Sequence, residues 1–317
     1  MQNEPRFHTL AEIYEIAKSH PFYQHALART QGFYEAPITN KEMLYPKIKA
    51  LLDNPNFRKG LYLSPSGGTT SSQVLLFPTD VKENHFQRAC IAKCLIDEEI
   101  LTSDAIALNL FGGSMMYRAL EIFNDFCEQA NATTLPVGSS CPDSKAYEIA
   151  IRFGANTIMG FPYRLVKFAN YVRKNNLKIE IESIIFAGES LSAYQREYLQ
   201  KIFNATRCNG LYGSTETGVW AYQPHGFEPD QYLFPPELMH VEIHNQNYEG
   251  FGKIIATNLV KSVHPLFLYD TGDIGKLTQI DYLNRSFNVL HLQGRALGCF
   301  YLGGSYHSLE DFHWVFY

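Results

Sequence analysis

The stretch SIIFAGESLSAYQREYLQKIFNATRCNGLYGSTETG, residues 183–218, decides the fold. Ser183–Ala187 is a short, almost continuous apolar run, the pattern of a strand covered on both faces. Gly188-Glu189-Ser190 interrupts it. Ser192 with Gln195 three positions later carries the capping-box signature of a helix start. Tyr194, Tyr198, Leu199 and Ile202 then fall on one helical face. Cys208–Tyr212 reads as the next strand. A strand, a crossover helix and a second strand make one βαβ unit, and such a crossover returns the chain parallel to its first strand.

Working outward, the same alternation continues. Ala105–Leu110, Thr133–Val137 and Thr157–Met159 read as short buried strands, and Leu165, Phe168, Ala169 and Val172 form an i, i+3, i+4, i+7 stripe. Strand starts recur about every 25 residues, close to one βα unit, so the expected class is α/β: a mainly parallel sheet with flanking helices. Beyond Trp220 the helical stripes fade. Met239–Ile243, Lys253–Ala256, Pro265–Tyr269, Ile274–Leu277 and Phe287–Leu292 look like strands between Gly, Asn and Asp turns, a smaller β-rich subdomain. Upstream, the first sixty residues look helical and polar, with turn signals at Pro37 and Pro55. Leu61–Leu63 runs as a strand into a Ser/Gly/Thr stretch, and Val74–Phe77 reads as the returning strand. Asp80 and Glu83 are spaced as a capping box for the helix that follows. The expected organisation is a helical segment at 1–60, an α/β region at 61–225, a β-rich subdomain at 226–294, and a hinge with the start of a further domain at 295–317.

Composition narrows the function. A formal charge of −5, with no Lys/Arg run, gives a nucleic-acid partner no support. The six cysteines at 90, 94, 127, 141, 208 and 299 have neither zinc-site nor disulfide-framework spacing, so buried thiols are expected. MQNEPRFHTL lacks an apolar signal core, and no stretch approaches the roughly 18 apolar residues of a membrane span, so the cytoplasm is the expected compartment.

Four segments carry chemistry. Ser64-Pro-Ser-Gly-Gly-Thr-Thr-Ser-Ser72 has small residues that let backbone approach a polyphosphate, and hydroxyls and amides that can donate to it. It lacks the Gly-Lys-Ser/Thr of a Walker loop, and by itself it reads equally as a surface turn. Ala187-Gly188-Glu189-Ser190 follows a strand end, where open α/β sheets place ligands, although Gly-Glu turns before helices are common. Leu211-Tyr-Gly-Ser-Thr-Glu-Thr-Gly218 offers an aromatic face at Tyr212, a donor at Thr215 and a hard oxygen ligand for Mg²⁺ at Glu216. The alternative there is a capped turn with a surface glutamate. Tyr269-Asp-Thr-Gly-Asp273, with Gly294-Arg295 beyond it, provides a carboxylate that can accept from two ribose hydroxyls and an arginine that can donate to the same sugar. The Asp-Thr-Gly triplet has no second copy to pair with, so an aspartic-protease dyad is excluded. No Gly-x-Gly-x-x-Gly fingerprint points to a dinucleotide enzyme.

In this order the segments resemble the adenylate-forming superfamily: SGGTTSS, the GFP and AGES turns, YGSTE, YDTGD and the late Gly-Arg. Within it the likeness is nearest to phenylacetate-CoA ligase and its relatives, including the acyl-protein synthetases of bacterial luminescence. His20-Pro-Phe-Tyr23 and Pro37-Ile-Thr-Asn-Lys-Glu-Met43 carry that nearer likeness. The resemblance implies the large N-terminal core of such an enzyme, with ATP, Mg²⁺ and a CoA or carrier-protein thiol as reactants and cofactors. It implies that Ser66, Gly67, Gly68, Thr69, Thr70 and Ser71 wrap the β- and γ-phosphates. Gly188, Glu189 and Ser190 would line the adenine pocket, with Tyr212 on the base and Gly213 and Ser214 beside it. Thr215 would touch the α-phosphate, Glu216 would hold Mg²⁺, and Asp273 with Arg295 would grip the ribose.

The sequence departs from that pattern in three places. Gln73 and Val74 follow the phosphate stretch where a Pro and a Lys or Thr are usual. The hinge reads Gly294-Arg-Ala-Leu297, without its aspartate. The adenylating lysine of the mobile C-terminal domain has no counterpart before Tyr317. A catalytically incomplete nucleotide binder, or one half of a split enzyme, is therefore the competing expectation. On the substrate side Phe111, Met115, Phe161 and Tyr163 border the family's acyl pocket, and Phe111–Met116 lacks the acid that amino-acid-activating relatives use. An amino acid substrate is thus less expected, and the four side chains suit an apolar or aromatic acid, although plain core packing explains them equally well.

Overall fold

In the computed structural model, Ser183–Ala187 and Arg207–Ser214 are parallel neighbours joined by the helix Ala193–Phe203. The structure describes residues 4–66, 76–114, 116–282, 285–295, 299–302 and 305–308. Its elements run α1 (Leu10–Ser19), α2 (Gln24–Leu27), α3 (Lys41–Leu52), β1 (Leu61–Pro65), β2 (Leu76–Asp80), α4 (Val81–Asp97), β3 (Ile106–Asn109), α5 (Ala119–Gln129), β4 (Thr133–Pro136), α6 (Asp143–Phe153), β5 (Thr157–Gly160), α7 (Pro162–Lys174), β6 (Ser183–Ala187), α8 (Ala193–Phe203), β7 (Arg207–Ser214), β8 (Gly218–Tyr222), β9 (Gln231–Leu233), β10 (Met239–His244), β11 (Gly252–Asn258), β12 (Tyr269–Tyr282) and β13 (Arg285–Arg295). The chain forms two compact units, one of residues 88–213 and 221–232, the other of residues 1–87, 214–220 and 233–317.

The first unit holds the parallel strands. β4, β3, β5, β6 and β7 lie side by side, with Asn109 opposite Pro136 and Met159, and Ala187 opposite Leu211. Every residue of β5 and β6 is buried, as a sheet covered on both faces requires. Leu165, Phe168, Ala169 and Val172 of α7 pack with Leu199 and Phe203 of α8 against Ile158 and Ile184. The stripe read from the sequence is the core face, with Leu165, Phe168 and Val172 each contributing roughly 1.5–3 kcal/mol of burial. The Ser192–Gln195 capping box forms reciprocally.

The second unit is built on the antiparallel run β10–β11–β12–β13 and the β1–β2 hairpin. Its core gathers Ile13, Tyr14 and Ala17 of α1, Leu44, Tyr45 and Ile48 of α3, and Leu266, Phe267 and Tyr269. The two N-terminal signatures dock on that last segment. Tyr23 donates its hydroxyl to the Pro265 carbonyl, and Thr39 exchanges backbone hydrogen bonds with Leu268 and Asp270.

Two local expectations change. Pro265–Leu268 is not a strand: proline has no N–H for a ladder, and Leu268 sits at φ +43°. Its apolar run reflects core packing rather than sheet pairing. Asp80 caps α4 by accepting from the Lys82 and Glu83 amides, but Glu83 does not reach back. Its carboxylate accepts instead from the Ser262 amide and hydroxyl and the Val263 amide. Cys90, Cys94, Cys127, Cys141 and Cys208 form no disulfide. Among the described residues, no helix is long and apolar enough to cross a membrane.

Candidate functional site

The turn after β7 is locked by its own side chains: the Ser214 amide donates to Thr217 Oγ1 at 2.9 Å, and the Thr217 amide donates to Ser214 Oγ at 3.1 Å. This fixes the two residues between them. Thr215 Oγ1 donates to the Pro65 carbonyl at 3.0 Å, tying the turn to the strand that leads into the hydroxyl-rich stretch. Glu216 is only 7 % exposed, and its Oε1 accepts from the Tyr45 hydroxyl at 2.7 Å. Its backbone carbonyl accepts from Lys261 Nζ at 2.5 Å.

Lys261 is itself buried and lies over the Phe77 ring at 5.2 Å. Burial pushes its pKa down to about 8, against the pull of the Glu83 and Glu216 carboxylates. Ser66 is buried, and its hydroxyl interacts with the Tyr45 phenol. Gly67, Gly68, Thr69, Thr70 and Ser71 lie outside the described residues.

The β12–β13 register sets Asp273 opposite Arg295, and Arg295 Nε pairs with Asp273 Oδ1 at 3.0 Å. Arg295 also donates to the Thr271 carbonyl at 3.0 Å. Asp270 is committed elsewhere, to Lys253 at 2.9 Å and to the Gly272 amide, which leaves Asp273 as the acid of that turn paired with Arg295. Tyr269 and Lys41 connect the two regions electrically. Burial first and the Glu216 charge second push the Tyr269 phenol above its ordinary range, while Arg295 opposes them. Burial lowers the Lys41 pKa; Glu216 supports its charge and Arg295 resists it. Ser66, Thr215, Glu216, Asp273 and Arg295 belong to one unit, in which Glu216 and Arg295 both act on the charges of Tyr269 and Lys41.

The remaining expected residues belong to the parallel-sheet unit. Gly188 follows β6 at φ +86°, and a Cβ there would meet the Phe161 ring at 2.8 Å, so both conformation and space require glycine. Glu189 beside it is half-buried, and burial raises its pKa. Ser190 is exposed. Tyr212 and Gly213 end the same unit, with the Tyr212 ring 6.2 Å from that of Tyr232. Phe111 is fully buried, stacked on Phe123 at 3.8 Å and edge-on to Phe161 at 4.9 Å. Phe161 stacks with Tyr163 at 6.0 Å, and Tyr163 is 36 % exposed. Met115 lies outside the described residues; Met116 beside it is exposed at φ +70°.

Solved structures share this architecture. A 2-hydroxyisobutyryl-CoA ligase in complex with 2-HIB-AMP and CoA superposes with a TM-score of 0.80, at 15% identity, over 94% of this chain and 69% of that one. ATP-bound MatB from Rhodopseudomonas palustris superposes at 0.52, with 16% identity, over 78% of this chain and 50% of that one. The chain has the fold of the adenylate-forming ligases. Coronafacic acid ligase from Pectobacterium brasiliense is a further similar structure, at 0.51 and 16% identity over 74% of this chain and 47% of that one. Among curated proteins, indoleacetate–lysine synthetase of Pseudomonas savastanoi is 28% identical over 142 residues, 43% of this chain and 35% of the relative. The match thus spans about a third of that relative's length. No family model matches the sequence.

Sequence reasoning missed three residues at this ligase-fold site: Tyr45, Lys261 and Lys41. Tyr45 and Lys41 lie four apart on α3, where an aromatic and a lysine resemble an ordinary core face and solvated flank. The available signal was the Pro37–Met43 likeness, which ends two residues short of Tyr45. Lys261, next to an apolar run, gave a fainter one: a charged residue where core was expected.

Burial also sets a pH dependence. The His264 pKa is pushed down to about 4 by burial and then by Lys261, and that of His20 to about 4 by burial and then by His264. Both imidazoles are held neutral in the fold but protonate near pH 6.5 when unfolded. Their contribution is complete above pH 6.5 and is lost as pH falls toward 4. For His264, which is 5% exposed, the loss at pH 5 is expected to be on the order of 2 kcal/mol. Urea denaturation at pH 7 and pH 5 checks this, and His264→Asn should flatten the difference.

Proposed function

We propose that the chain binds ATP and activates a carboxylic acid as its acyl-adenylate. The observation that carries this reading is the hydrogen bond from Thr215 to Pro65, which joins the Thr-Glu turn to the entrance of the hydroxyl-rich stretch. A phosphate-wrapping segment and a phosphate-facing threonine must meet for in-line attack on the α-phosphate. The shared fold with ligases solved with acyl-AMP and with ATP supports the same reading.

In this reading a carboxylate oxygen of the acid bonds to the α-phosphorus, the bond to the bridging oxygen breaks, and pyrophosphate leaves. The chain's part is positioning and charge neutralisation rather than proton transfer. Ser66 and the following residues through Ser71 hold the β- and γ-phosphates. Thr215 turns its single hydroxyl proton from the Pro65 carbonyl to the α-phosphate, Asp273 accepts from the ribose and Arg295 supports it. Gly188, Glu189, Ser190, Tyr212, Gly213 and Ser214 take the adenine end. Glu216 fits a Mg²⁺ role: it is a hard oxygen donor, one carboxylate oxygen is engaged by Tyr45, and among the described residues the other has no hydrogen-bond partner. Among those residues no group of three His, Cys, Asp or Glu could hold a metal, which suits an ion shared with substrate phosphates. Bound Mg²⁺ would neutralise charge on the phosphates as pyrophosphate departs.

The acid is proposed to be apolar or aromatic, received beside Phe161 and Tyr163 with Phe111 and Phe123 packed behind them. The acyl group then passes to a nucleophile as AMP leaves. A thiol of CoA or of a carrier protein is the favoured acceptor, in keeping with the phenylacetate-CoA ligase likeness; an amine is the alternative suggested by indoleacetate–lysine synthetase.

Exchange of labelled pyrophosphate into ATP tests the reading. It is expected only when a suitable acid is present, with arylacetic acids above amino acids. No exchange across a broad acid panel, together with no ATP-induced rise in melting temperature, would overturn it.

A further inference from the structure

We propose that Tyr45 is a positioning residue for the metal-dependent step: its phenol fixes one oxygen of Glu216 so that the other is presented to a divalent cation shared with ATP phosphates. This rests on the function proposed above.

The geometry is direct. The Tyr45 hydroxyl donates to Glu216 Oε1 at 2.7 Å, and both residues are nearly inaccessible, at 5 % and 7 % exposure. A carboxylate has two rotatable bonds before its χ3, so a turn that fixes only the backbone leaves its oxygens free to wander. Here the backbone is held twice, by the Ser214–Thr217 exchange and by Lys261 on the Glu216 carbonyl. The phenol supplies the remaining constraint. Its ring is rigid, set in the core with Leu44 and Ile48. A phenol beside a carboxylate keeps its proton and donates it to that oxygen. A phenol that donates withdraws only one of the two oxygens; a lysine or arginine in its place would neutralise the carboxylate and weaken its attraction for a cation.

The role separates from simple packing. A packing residue changes stability, and nucleotide affinity with and without metal falls together. A residue that aims a metal ligand changes only the metal-dependent part. The test is calorimetric titration of the full chain with Mn²⁺-ATP, and with ATP in excess EDTA, for the native protein and Tyr45→Phe. Phenylalanine keeps the ring in the core, and the melting temperature verifies the fold.

Tyr45→Phe is expected to weaken Mn²⁺-ATP binding five- to tenfold while ATP in EDTA stays within twofold. In a Glu216→Gln background the same substitution should have no further effect on Mn²⁺-ATP. Unchanged Mn²⁺-ATP affinity, or an equal loss in both titrations, overturns the inference. Native protein that binds ATP in neither titration overturns the nucleotide reading beneath it, which is a distinct outcome.

Discussion

Glu216→Gln is expected to slow acid-dependent pyrophosphate exchange at least about a hundredfold, the scale on which one preorganised electrostatic group acts on a transition state. The substitution is nearly isosteric. Its amide oxygen still accepts from Tyr45, and the backbone carbonyl still accepts from Lys261, so the turn keeps its shape. What disappears is one negative charge in a site where Lys261 and Lys41 both respond to it. The affinity for metal-free nucleotide should therefore rise slightly, because a repulsive charge near the phosphates is gone. Exchange rates at saturating Mg²⁺, with AMP titrations in EDTA, separate the two effects. A variant that exchanges at the native rate would remove Glu216 from the mechanism.

Asp273→Ala should weaken AMP binding about ten- to a hundredfold, the range of a hydrogen bond to a charged group, roughly 1.5–3 kcal/mol. Asp273 is well placed for this. Its side chain is 13 % exposed, and Arg295, at 27 %, holds Oδ1 from the neighbouring strand. Alanine removes the acceptor and with it the carboxylate that pairs with the Arg295 guanidinium. Asp273→Asn keeps an acceptor and should recover part of the loss. Because β12 and β13 pair along many residues beyond this one, the fold should survive, and a melting-temperature drop of more than a few degrees is not expected. Unchanged AMP affinity would refute the ribose assignment.

The parallel half of the fold was legible because burial there is periodic. A strand covered on both faces is mostly apolar and its crossover helix keeps an apolar stripe; residues 183–212 follow this, except that the helix buries Leu199 and Phe203 while Tyr194, expected on the stripe, is exposed. The β-rich part was harder. Pro265–Leu268 is as apolar as a strand because Leu266 and Phe267 fill the core, yet Pro265 and the left-handed Leu268 keep it out of the ladder that begins at Tyr269. Spacing alone also misjudged Glu83. A carboxylate three residues after Asp80 fits a capping box, but loop amides at Ser262 and Val263 compete for it, and these lie far away in sequence.

The candidate site divides in the same way. Thr215, Glu216, Asp273 and Arg295 sit in short motifs whose residue types announce their chemistry. The register that sets Arg295 against Asp273 comes from the antiparallel pairing of β12 and β13. Tyr45 and Lys261 reach Glu216 from 171 and 45 residues away, and no local pattern encodes such contacts.

The most direct measurement is a crystal structure of this chain with AMP bound. The α-phosphate should lie within hydrogen-bonding distance of Thr215 and beside Glu216, with a ribose hydroxyl on Asp273. AMP bound away from both the Thr-Glu turn and Asp273, with Thr215 still on the Pro65 carbonyl and Asp273 contacting only Arg295, would contradict the account.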